Sequence, residues 1–164
     1  MLTKKSSLLL GLTAAVPLLF AACTDNSIFN PMADAAGTYQ LTVYAGRTLP
    51  ATFTIQPNDP TYGSYAPNGG TLAVTGGNLV LSSNGTFVET NNYVITPNGG
   101  GASSNVQFQS SGTWTLNGTI FSLSDPSRSR QVSGTLEADL NNNLTVNYTE
   151  DDGTGTFQSY EYKR

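Results

Sequence analysis

Few residues in this chain can do chemistry. Among its 164 residues there is no histidine, and Cys23 is the one cysteine. Without an imidazole there is no Ser-His-Asp or Cys-His nucleophile. The same lack removes the ordinary zinc, copper and iron–sulfur centres. A lone cysteine makes no internal disulfide. Carboxylates remain. Glu89, Glu137, Asp139 and Glu161 are scattered along the chain, and a glycosidase pair needs two of them about 5–10 Å apart. Nothing in their spacing brings two together. Glu150-Asp151-Asp152-Gly153 offers oxygen ligands for Ca²⁺, but its spacing departs from the EF-hand loop. A solvated hairpin turn explains it more simply. Asp125, Arg128 and Arg130 flank Pro126, which suggests a surface ion pair closing a loop and, more weakly, an anion site from the two arginines. Arg47 and Lys163-Arg164 are placed to close the ends of elements in the same way.

Four aromatic residues are the candidate ligand contacts: Tyr62, Tyr65, Tyr93 and Trp114. The three tyrosines lie in or beside long loops, where rings line a pocket, meet a partner or pack as a lid. Trp114 shares a strand face with Leu116. It either packs the interior, with its N–H on a backbone carbonyl, or walls a pocket. The expectation is a binding or interaction protein with no catalytic residue, metal or cofactor. Charged residues are 11% of the chain and the formal net charge is −4. An acidic, lysine-poor chain is a poor ligand for nucleic acid.

Strands must position these side chains. From residue 37 onward Gly-Thr recurs at irregular intervals, as at 37–38, 85–86, 112–113, 118–119 and 134–135. Glycine ends a turn because it tolerates positive φ, and the β-branched threonine suits the extended chain that follows. Between these marks the sequence alternates. Tyr39, Leu41 and Val43 share one face, as do Phe53 and Ile55, and Leu144, Val146 and Tyr148. That period of two is the mark of strands with one buried face. Asn84-Gly85 and Asn117-Gly118 suit type I′ hairpin turns. The pattern predicts strands at 37–44, 50–57, 70–75, 78–83, 85–95, 105–116, 119–124, 130–138, 143–149 and 155–162, with no helical stripe after residue 37. Short strands joined by hairpins form an antiparallel meander, which hides its edges by closing on itself or by pairing with a second sheet. The expected fold is all-β, an antiparallel up-and-down β-barrel of about 8–10 strands. A β-sandwich is the alternative. Residues 57–70 and 96–104 are expected as long loops.

The N-terminus reads as an address. Lys4 and Lys5 precede an apolar run from Leu8 to Phe20, shorter than the ~20 residues a membrane helix needs but right for a signal peptide. Ala21-Ala22-Cys23 follows. This arrangement resembles the lipobox of bacterial lipoproteins, with Phe20 and Leu19 near the position where leucine is common. The resemblance implies cleavage before Cys23 and attachment of lipid to it. Residues 1–22 are then the signal peptide, 23–36 the lipidated cysteine and a tether, and 37–164 the folded domain. The implied partner is a membrane, reached through the anchor at Cys23. The implied location is the bacterial cell envelope; Thr24, where retained lipoproteins carry aspartate, favours the outer membrane.

Three segments carry a second resemblance. Gly37-Thr38-Tyr39-Gln40-Leu41 opens the domain, ahead of Leu49-Pro50; Leu79–Phe87 and Ser111–Leu123 are strand–turn–strand units. Together they resemble the lipocalin-like domains of secreted bacterial lipoproteins. The resemblance implies a barrel that holds one small apolar ligand, and no catalytic residues. The competing reading is a filled barrel that contacts an envelope partner or inhibits an enzyme.

Overall fold

The computed structural model describes residues 31–151 and 157–164. A short helix, α1 (Pro31–Ala35), precedes ten strands: β1 (Gly37–Tyr44), β2 (Arg47–Thr48), β3 (Ala51–Pro57), β4 (Asn68–Leu81), β5 (Thr86–Pro97), β6 (Ser104–Asn117), β7 (Ile120–Asp125), β8 (Arg130–Ala138), β9 (Leu144–Asp151) and β10 (Phe157–Lys163). A 3-10 turn, Pro126–Arg128, joins β7 to β8. Neighbours from β4 through β10 pair antiparallel in chain order, β10 pairs with β1, and β1 returns to pair with β4. The result is a closed up-and-down barrel of 8 strands, its wall closed by the pairing of β1 with β4. The sandwich is excluded.

The barrel splits at one end. Residues 37–40 of β1 pair with 78–81 of β4, whereas β3 takes the place beside the first half of β4. The short β2 hangs on the end of β1. Thus β1 and β3 diverge, and the wall opens between them.

Two bulges depart from the predicted alternation. In β1 the register shifts between Leu41 and Val43, so Tyr44 turns inward and is buried. In β4 it shifts between Val74 and Gly76. Gly76-Gly77, which falls between the predicted strands 70–75 and 78–83, lies instead at a bulge inside one long strand. An extra residue of this kind bends a strand without ending it. The Asn-Gly turns also differ from expectation. Gly85 and Gly118 have positive φ, but Asn84 and Asn117 do not, so neither is type I′. Asn84 Oδ1 instead accepts hydrogen bonds from the Thr86 amide and hydroxyl.

Helix α1 lies within the stretch expected to be tether and plugs the end opposite the split. The Tyr39 hydroxyl donates to Ala35 O at 2.6 Å. The Arg164 guanidinium donates to Ala36 O and Asp34 O and lies over the Tyr39 ring. Trp114 packs here too, 1% exposed, its Nε1–H on Ser82 O at 2.9 Å and its ring 6.2 Å from Phe121. Tyr39, Leu79, Leu81, Phe87, Phe121, Val146 and Tyr162 complete the apolar interior.

Candidate binding site at the barrel mouth

Four inward positions that alternation reserves for apolar side chains hold charges, Asp125 at the end of β7 among them. On β5 the inward series is Phe87, Glu89, Asn91, Tyr93 and Ile95. On β8 it begins at Arg130, and on β9 it runs Val146, Tyr148, Glu150. Glu89 is fully buried and Arg130 is 8% exposed. A buried charge persists only when paired and hydrogen-bonded, and this one is. Arg130 donates through Nη1 to Glu89 Oε2 at 2.7 Å and to Ser110 Oγ at 3.0 Å. Its Nη2 donates to Glu150 Oε2 at 2.8 Å and to the Tyr148 hydroxyl at 3.3 Å. Its Nε donates to Glu150 Oε1 at 2.6 Å. A guanidinium has five N–H donors, so every one is used.

Glu89 Oε1 accepts the hydroxyls of Tyr148 at 2.5 Å and Tyr162 at 2.6 Å, and the Asn91 amide at 3.0 Å. Gly77 faces Asn91 from β4, and a β-carbon there would collide with Asn91 Oδ1. The Ser110 hydroxyl donates to Asp125 Oδ2 at 2.8 Å, which joins Asp125 to the network. The Ser127 hydroxyl, with help from Ser110 and the amides of Ser111 and Ser127, holds the Asp125 carboxyl down at about 2. Asp125 and Arg130, expected on the surface, are therefore interior residues. Arg130 is no anion site, because its donors are all engaged by Glu89, Glu150, Ser110 and Tyr148.

Above this network the split wall leaves a cavity of about 1050 Å³. Its walls are rings. Tyr44 is the hub, 5.4 Å from Phe53, 6.1 Å from Tyr93 and 5.1 Å from Tyr160, all edge-on. Tyr62 extends the set, 6.5 Å from Tyr93, and Tyr160 stacks on Tyr148 at 4.8 Å. Phe108 and Leu72 also line it. Arg130 lies over the Phe108 and Tyr148 rings. Glu150 is the part of the network that reaches the cavity, its side chain 24% exposed. Asp59, Asp151 and Arg47 stand at the rim. Burial pushes the Tyr93, Tyr148 and Tyr160 hydroxyls well above the ordinary phenol range, so they stay neutral donors.

Of the candidate contacts, Tyr62 and Tyr93 come together at this cavity. Tyr65 is 44% exposed and is not among its lining residues, and Trp114 lies at the plugged end. Cys23, Asp152 and Gly153 lie outside the described residues. Among the described residues no group of three His, Cys, Asp or Glu side chains could hold a metal. Tyr44, Phe53, Phe108 and Tyr160 were not expected at the site. For Phe53 and Phe108 the signal was inward parity, whereas Tyr44 needs the β1 bulge. Comparison of the chain with family models, curated proteins and solved structures gave no match.

Proposed function

We propose that this chain is a binding module of the bacterial cell envelope, held to a membrane by lipid on Cys23, whose barrel takes one small, largely apolar molecule at its mouth. One observation carries the reading: a cavity of about 1050 Å³, walled by aromatic rings, at the open end of a barrel plugged at the other. Ligand pockets are concave, mostly apolar and supplied with a few convergent polar groups. The volume is at the upper end of the usual ~300–1,000 Å³ range. The ligand stays in the mouth, because Tyr148, Tyr162, Glu89 and Arg130 fill the barrel beneath. That filled lower half is what favours the second reading, a structural envelope lipoprotein whose mouth docks a partner or inhibits an enzyme. Neither reading involves catalysis.

Native mass spectrometry of the full chain from its producing cell tests the first reading. A reproducible adduct, lost on denaturation and weakened by Tyr44→Ala, supports it. A bare mass after exposure to lipid and small-molecule extracts refutes it and leaves the docking role. Anchoring is checked separately: labelled fatty acid should enter the chain and should not enter Cys23→Ser.

A further inference from the structure

The rings at the mouth are fixed before anything binds. Phe53, Tyr62 and Tyr160 line the cavity and are half-buried. Each is held from behind. The Tyr44 ring meets Phe53 at 74° and Tyr160 at 88°, and Tyr93 meets Tyr62 at 62°. The supporting rings, Tyr44 and Tyr93, are themselves buried. Tyr160 also stacks on Tyr148, and the Arg47 guanidinium lies over Phe53. Phe108, by contrast, is covered by Arg128 and Arg130.

Rings locked in this way lose little conformational freedom when a ligand arrives. They also present their quadrupoles at set angles. A flat aromatic ligand extends such a set edge-to-face or offset-stacked, and gains more than its buried area is worth. A saturated skeleton gains the area alone. The aliphatic side chains of the lining offer little surface, because Ile55 and Leu72 are buried. Below the rings Glu89, Arg130, Tyr148 and Tyr162 are buried and close the barrel. An extended acyl chain therefore finds no channel along the axis, whereas a compact ring system fits the broad space above.

We infer that the mouth selects an aromatic ring system, rather than an acyl chain or a saturated skeleton, seated against Phe53, Tyr62 and Tyr160. This inference rests on the binding reading above and names its ligand class.

Three ten-carbon alcohols test it: 2-naphthol, its saturated counterpart decahydro-2-naphthol, and the chain 1-decanol, each titrated calorimetrically into the full chain. The aromatic alcohol should bind about tenfold more tightly than the saturated ring, with 1-decanol behind both. Phe53→Leu should weaken 2-naphthol severalfold and leave decahydro-2-naphthol unchanged, so the preference narrows. Should that variant fail to fold, Tyr62→Leu, in the loop after β3, should narrow it in the same way. Equal affinities, or either saturated alcohol ahead, overturn the aromatic assignment while leaving the mouth a binding site. A preference that survives both substitutions overturns it too, because the ring is then recognised elsewhere. No heat from any of the three also overturns it, and the native mass spectrum then shows whether the binding reading falls with it.

Discussion

Removing the Arg130 guanidinium is the sharpest test of the interior network. Arg130→Met keeps most of the side-chain volume and deletes all five donated hydrogen bonds. It leaves Glu89, fully buried, facing Glu150 with no cation between them. Breaking a buried pair by removing one partner typically costs about 3–5 kcal/mol, because the stranded charge cannot return to water. With a urea slope of about 2 kcal/mol/M, a loss of about 4 kcal/mol lowers the midpoint by about 2 M. The assay is built in. Trp114 is the chain's one tryptophan and is 1% exposed, so its emission reports unfolding. The triple variant Arg130→Met, Glu89→Gln, Glu150→Gln removes the stranded charges as well, and should recover at least half of the loss. If Arg130→Met costs under about 1 kcal/mol, the range of an exposed pair, the network is solvated and the reasoning fails. It fails equally if the triple variant is as unstable as the sum of its parts.

Tyr39→Phe removes the hydroxyl that holds Ala35. It should cost about 0.5–1.5 kcal/mol in urea and raise amide exchange at Ala36, whose N–H bonds Met32 O. Asp125 titrates at about 2 in the fold against an ordinary 3.8, so its stabilisation is present above about pH 4 and drains away as pH falls through about 2. Ser127→Ala removes the largest cause and should raise that titration, read by carbon NMR of the carboxyl group, towards 3.8. An unchanged midpoint would contradict the assignment. Gly77→Ala puts a methyl group against Asn91 and should cost about 1–3 kcal/mol by overpacking; a thermal melt unchanged from the parent would show that the close approach is not real.

Strands whose faces alternate cleanly could be read in the sequence, and β8 carries the predicted bounds, 130–138. Alternation is local, so it survives without knowledge of partners. The bulges could not be read. Gly76-Gly77 has the composition of a turn, and only the continuous pairing of β4 with β5 keeps it extended. The bulge in β1 has no composition signal at all, yet it decides that Tyr44 rather than Val43 enters the mouth. The ionic network was half visible. Glu89, Asp125, Arg130 and Glu150 each stand at an inward parity, and a charge there conflicts with the local pattern, as functional or strained sites often do. What alternation cannot supply is that residues 41 and 20 apart in the chain meet, because that depends on barrel closure and register.

If lipid on Cys23 anchors the chain as proposed, the plug formed by α1 would also bear on which way the molecule faces. The chain enters β1 and leaves β10 at the same end, where Arg164 holds the carbonyls of Asp34 and Ala36. With Cys23 acylated as proposed, the lipid would be joined to Pro31 at that end through a segment that can reach at most about 25 Å at about 3.5 Å per residue. On that proposal the bilayer would lie on the side of the plug, and the open mouth would point into the aqueous compartment. Cargo would arrive by diffusion through water rather than by lateral transfer out of the lipid leaflet, and whatever collects it would approach from the side opposite the membrane.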